Sequence, residues 1–274
     1  MTTGRLNRTW MVALALFFVA QLFSCGKPVN REAMGPDEYF EYAKKKFDDG
    51  DYFAAKKEFT VIVLRYGGDP VVDEAQYFLA ESEFHLKEYL VAVSEYERLI
   101  NDYPRSPYVP LAQFKIGMAY DKLSLRPELD QEYTLKALRA FQTFVEENPG
   151  HELVPQAEKF IAKLRAKLAK KKLIAATTYR KMGLCRAALV YYDIILESYY
   201  DTPAAAEAQY WKGVCLKKSH RLEEARTALS VFVEKYPDHR LANEARALIE
   251  EITRELQSQA PEEPQATTEQ DGQH

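Results

Sequence analysis

The side chains able to do chemistry are few and scattered. There are three cysteines in 274 residues, Cys25, Cys185 and Cys215, too few for a disulfide framework or a Cys-based zinc cluster. The histidines, at 85, 151, 220, 239 and 274, have no metal-ligand spacing. His85 reads as a solvated or satisfied ring near a helix end. The sequence has no P-loop, no G-x-S-x-G elbow and no H-E-x-x-H motif, and Gly67-Gly68 is a turn rather than a phosphate cradle. Glu223-Glu224 and Glu250-Glu251 read as solvated helix faces. No catalytic set, metal site or diffusible cofactor is expected, so the chain reads as a non-enzyme.

Binding chemistry is more visible. Residues 159–181 (KFIAKLRAKLAKKKLIAATTYRK) carry nine basic residues and no acid. This is either a solvated helix face or an anion-facing surface for an acidic protein or lipid headgroups. Lys163, Lys167, Lys170, Lys171 and Arg180 are its candidate partner-binding residues. The chain as a whole has 37 basic against 41 acidic residues, which argues against a nucleic-acid partner. Tyr is abundant, at 18 copies. Most tyrosines are expected between helices, with Tyr39, Tyr52 and Tyr89 as candidates for lining a peptide groove. Cys185, in a turn, and Cys215, in a helix, read as two small buried thiols. The alternative is a disulfide, which needs Cα atoms within ~7 Å.

The first residues read as an address. Arg5 and Arg8 precede an apolar run from Trp10 to Ala20, the pattern of a secretory signal and too short for a membrane span of ~20 residues. Leu22-Phe23-Ser24-Cys25 resembles the bacterial lipobox, with Phe23 departing from the usual small or β-branched residue. Cleavage after residue 24 and diacylglycerol and N-acyl chains on Cys25 are therefore expected, holding the chain on a membrane. Gly26, in place of an Asp, fits sorting to the outer membrane. Residues 25–36 read as a linker. Residues 258–274 contain four acids and no base and are expected to be disordered for want of apolar surface.

Between these ends one pattern recurs five times. An alanine at 55, 92, 137, 188 and 225 is followed four residues later by Phe59, Tyr96, Phe141, Tyr192 and Leu229. Small residues recur upstream at Ala43, Ala80, Gly117, Ala176 and Gly213. The alanines are 37, 45, 51 and 37 residues apart, so the third and fourth units carry insertions. Small residues let paired helices approach, and large ones fill the gap. The expected fold is all-α: a right-handed solenoid of five tetratricopeptide-like helix–turn–helix repeats over 37–257, closed by a capping helix from about residue 240.

The irregular parts are more specific. The run from Pro127 to Phe141, with Asp130-Gln131, Thr134 and Lys136-Ala137, resembles the third-repeat insertion of the BamD family of outer-membrane β-barrel assembly lipoproteins. The run Leu168-Ala169-Lys170, Tyr179, Gly183, Ala187-Ala188, Tyr192, Leu196-Glu197, Asp201-Thr202-Pro203 is similar to that family's long fourth-repeat helix and its successor. Lys172 and Tyr200 depart from it. The resemblance implies a non-catalytic subunit, lipid-anchored in the outer membrane and facing the periplasm. It would bind periplasmic domains of the barrel-forming subunit through its C-terminal repeats. Its N-terminal repeats would meet unfolded barrel proteins or other assembly lipoproteins. A periplasmic repeat scaffold for cell-envelope or peptidoglycan proteins is the alternative.

Overall fold

The protein was described from a computed structural model covering residues 31–259. After a short 3-10 turn, Arg31–Ala33, the chain forms eleven α-helices. They are α1 (Pro36–Asp48), α2 (Tyr52–Arg65), α3 (Val71–His85), α4 (Tyr89–Asp102), α5 (Val109–Leu123), α6 (Glu132–Glu147), α7 (Val154–Lys181), α8 (Cys185–Ser198), α9 (Ala204–Lys218), α10 (Leu222–Lys235) and α11 (Ala242–Gln259). No strand occurs among the described residues. Each helix packs chiefly on its sequence neighbours, as a stack of repeats requires. The five pairs α1/α2 to α9/α10 are the five repeats, and α11 covers the open end.

Local chemistry sets the boundaries. Pro36, Pro110 and Pro155 sit in first turns, where the missing N–H costs nothing. Asp51 caps α2 by accepting from the Ala54 N–H at 3.1 Å. Between the helices of repeats 1, 2, 4 and 5 the chain turns through the left-handed region. Gly50 and Gly183 do so with φ of 79° each, but Lys87 and His220 hold the same place with φ of 64° and 56°.

The repeat signature is the core. All five alanines and all five large residues are fully buried. The small residue of the first helix lies under the large residue of the second. A Cβ at Gly117 would stand 2.8 Å from the Phe141 ring, and one at Gly213 would stand 2.6 Å from Leu229 Cγ.

Helix α7 has 28 residues, against 13 to 18 for the others. Its first half places Ala157, Leu164 and Leu168 in the core of the third repeat. Its second half places Ala169 and Ala176 in the core shared by repeats 4 and 5 and α11. One helix therefore joins two cores.

The structure refines the expected linker, the start of the acidic tail and the place of Cys185. Cys25 lies outside the described residues. So does the linker up to residue 30, but from Arg31 the chain is docked. Arg31 Nη1 donates to Glu58 at 2.6 Å, Arg65 donates to the Glu32 carbonyl at 3.0 Å, and Tyr66 donates to the Met34 carbonyl at 2.8 Å. Ser258 and Gln259, expected in the acidic tail, still belong to α11, and residues 260–274 lie outside the described residues. Cys185 is the first residue of α8 rather than a turn residue, because the apolar periodicity of α8 already starts there.

Candidate interaction surface

The insertion of the third repeat is tied by one glutamine. Gln131 is buried, and its Nε2 points at the carbonyls of Arg126, Leu129 and Asp130 at 2.8, 3.1 and 2.9 Å. Its Oε1 accepts from Thr134 Oγ1 at 2.7 Å, and Thr134 also meets Ser124 Oγ. The Asp-Gln-x-x-Thr spacing thus closes the loop on the first turn of α6.

The basic run of α7 faces this loop. Lys163 pairs with Asp121 at 2.8 Å, Lys167 donates to Ser124 Oγ at 2.7 Å, and Lys171 donates to the Leu129 carbonyl at 2.6 Å. Burial lowers the Lys167 ammonium below its ordinary value, against the pull of Asp121. Arg165 reaches the other way, to Asp201 at 2.6 Å and the Ser198 carbonyl at 2.8 Å. Two of the five candidate cations, Lys167 and Lys171, therefore clamp the insertion, and Lys163 holds the end of α5 that leads into it, which spacing alone did not show. Lys170 is exposed and has no ion pair or hydrogen bond among the described residues. Between loop and helix lies an open cleft of about 490 Å³, lined by Leu135, Leu168 and Tyr199 with Asp130, Lys171 and Lys172.

Arg180, the fifth cation, lies over Trp211 of α9, its Cζ 3.6 Å from the ring centroid. Its Nε is buried without a hydrogen-bond partner, as are the hydroxyls of Tyr192 and Tyr210. Burial pushes the Tyr192 hydroxyl up to about 12, with Arg180 acting against that shift. Tyr210 is raised by burial and by the nearby Glu244. Cys185 and Cys215 are both free and buried. The Cys215 thiol is pushed up to about 12 by burial and by Cys185 beside it. The two thiols thus lie side by side, in a site that sequence reasoning did not assemble.

The groove tyrosines need correction. Tyr39 is 2% exposed and donates to Glu58 Oε2 at 2.6 Å, so it is core, not groove. Its place on the inward face of α1 buries it. Tyr52 stacks on His85 at 4.2 Å, and Tyr89 meets Phe84 edge-on at 5.3 Å. Both lie half-buried at the turns within repeats 1 and 2.

Unforeseen in the sequence were buried acids in the N-terminal repeats. Glu58, Glu81 and Glu83 are 7%, 6% and 3% exposed. Glu81 accepts from Tyr96 and from Lys115 Nζ. Glu83 meets Lys56 at 3.2 Å with one oxygen, while the other is buried without a partner. Burial raises its carboxyl above the ordinary value. A glutamate on a helix reads as solvent-facing until its tyrosine and lysine partners are known.

No group of three or more metal-ligating side chains is assembled among the described residues, and no described helix is long and apolar enough to cross a membrane.

A family model described as outer membrane lipoprotein matches residues 32–213, and a tetratricopeptide-repeat model matches residues 207–239. The putative outer membrane protein assembly factor BamD of Aquifex aeolicus is 24% identical over 267 residues, covering 95% of this chain and 82% of that protein. BamD of Xylella fastidiosa is 22% identical over 241 residues, covering 83% and 82%. Among solved structures, a TPR repeats protein from Bacteroides fragilis aligns at TM-score 0.45 and 14% identity, over 81% of this chain and 99% of that one.

Proposed function

The chain belongs to the outer membrane lipoprotein family of BamD type, and from that premise we propose that it is a non-catalytic scaffold of the machinery that assembles β-barrel proteins into the outer membrane. It works as an assembly factor associated with that membrane. In this reading Cys25 carries the lipid anchor, and the repeats stand in the periplasm. The C-terminal repeats hold periplasmic domains of the barrel-forming subunit. The N-terminal repeats are left to unfolded barrel proteins and other assembly lipoproteins.

One observation carries the reading. The family match spans residues 32–213 and so includes both irregular features, the insertion tied by Gln131 and the long α7, rather than the generic repeats alone. A generic repeat protein has no need to clamp an insertion onto a lengthened helix.

The test is gentle detergent extraction of the tagged full chain, followed by identification of its neighbours. The barrel-forming subunit is expected in stoichiometric amount. Recovery of peptidoglycan-binding or cell-wall proteins in its place overturns the reading. Replacing Cys25 with Ala is expected to release the protein from the membrane or leave the precursor uncut. A mature terminus elsewhere, without acyl mass, rules out the anchor.

A further inference from the structure

Repeats 2 and 4 share one register: adding 96 to a position in α3, α4 or α5 gives its counterpart in α7, α8 or α9. The turn residue Lys87 maps to Gly183, Ala80 to Ala176 and Tyr96 to Tyr192. In repeat 2 the Tyr96 hydroxyl donates to Glu81, which also holds Lys115, and Lys115 Nζ lies over the Phe84 ring at 5.2 Å. The counterpart of Phe84 is Arg180, and that of Lys115 is Trp211. Cation and ring have exchanged places, and the cation–ring contact is kept at 3.6 Å. The counterpart of Glu81 is Thr177, a shorter and uncharged side chain. The tyrosine and the cation remain, and the carboxylate is gone.

The bonding reflects the loss. Three arginines are half-buried among the described residues: Arg165, Arg180 and Arg226. Arg165 has Asp201 and Arg226 has Glu223. Arg180 has no ion pair or hydrogen bond among the described residues, and its shielded Nε shares that lack with the Tyr192 and Tyr210 hydroxyls. The Glu244 carboxylate of α11 lies beside Tyr210 and raises its hydroxyl, though too poorly aligned to make a hydrogen bond of ordinary geometry. Around Arg180 and Tyr192 the group thus offers N–H and O–H donors with no carboxylate among their partners, while Glu244 serves only the Tyr210 side. Donors left unpaired in a shielded place cost stability, which an oxyanion binding there recovers. A guanidinium held over an indole ring at this distance keeps its planar N–H fork available to a carboxylate.

We infer that Arg180, Trp211 and Tyr192 form a carboxylate-binding site in which a ligand's acid takes the place that Glu81 occupies in repeat 2. An acidic side chain of a partner protein presents this chemistry, and so do the acids of residues 260–274 of the same chain.

Trp211 reports on the site directly. The chain has two tryptophans, so the full chain carrying Trp10→Phe has a single indole. Sodium acetate and glutarate, titrated against sodium chloride at constant ionic strength, are expected to give a saturable change in Trp211 emission and a rise in Tm. Arg180→Met is expected to weaken the response by about tenfold or more without lowering Tm, because it removes an unpaired charge. Thr177→Glu supplies an internal carboxylate one helical turn before Arg180 and is expected to raise Tm and abolish the response. No response beyond that to chloride overturns the site, as does an unchanged response in both variants. A full chain with Glu262, Glu263 and Glu269 changed to Gln and Asp271 to Asn separates the sources. Tighter acetate binding in that chain assigns the site to the tail, and unchanged binding assigns it to a partner. Acetate and glutarate read the site itself, so the result stands apart from which assembly the chain serves.

Discussion

Repeats 1 and 2 and repeats 4 and 5 share one backbone plan and differ in how they satisfy their interiors. In the first pair every deeply placed acid has been given a cation: Glu58 has Arg31 and Tyr39, Glu81 has Lys115 and Tyr96, and Glu83 has Lys56. In the second pair the interior is alanine-rich, with Ala204, Ala205, Ala206 and Ala208 buried together. There the polar groups, Arg180, Tyr192 and Tyr210, end without partners. Helical repeats need only small-against-large packing to stack. The polar filling is free to differ: the atoms left over in the first pair are acceptors, Gln76 Oε1 and Glu83 Oε2, whereas those in the second pair are N–H and O–H groups able to receive an acid.

The comparison breaks most visibly at Glu81. Replacing it with Ala leaves the Tyr96 hydroxyl and the Lys115 ammonium without their shared acceptor, and a loss of about 3–5 kcal/mol is expected, read from urea unfolding. A loss below about 1 kcal/mol would show that the N-terminal network is dispensable.

Next come the two glycines beneath large residues. Gly117→Ala and Gly213→Ala place a methyl against Phe141 and Leu229, and overpacking of this kind costs about 1–3 kcal/mol. Equal losses in the two variants would show that the packing rule is common to both halves. A loss confined to one would show that the other half yields.

A pH series sharpens the contrast on the N-terminal side. Burial raises the Glu83 carboxyl above its ordinary value, so the folded chain binds that proton more tightly than the unfolded chain does. Its contribution is therefore full below the unfolded value and lost as pH rises through the folded one. Glu83→Gln is expected to gain Tm relative to the parent between about pH 4 and about pH 7. A gap that shrinks over this range would mean that the Lys56 contact outweighs burial.

The smallest effect is expected at the turns. Lys87 and His220 occupy the left-handed conformation that Gly50 and Gly183 hold in the other repeats. Lys87→Gly and His220→Gly are each expected to stabilise by roughly 0.5–1 kcal/mol, the strain relieved minus the extra unfolded-state entropy of glycine. Opposite signs at the two positions would show that the turns are not equivalent.

Much of the architecture is legible in the sequence alone. Helical periodicity, the alanine ladder and the insertions identify five helix pairs, a long α7 and a capping helix. They do so because a repeat's core is made by residues close in sequence, at spacings that one helical turn imposes. Tertiary structure alone decided what the polar side chains do. Lys163, Lys167 and Lys171 look like a free basic face until the end of α5 and the insertion fold onto them. Tyr39 looks like a groove residue until α2 brings Glu58 to it, and Glu81 looks solvent-facing until Tyr96 and Lys115 arrive from two other helices. Arg180 is one of nine similar charges in its run, singled out only when α9 slides Trp211 beneath it. Apolar burial follows from local periodicity, whereas the pairing of a charge depends on atoms 15 to 43 residues away, whose positions exist only once the helices have packed.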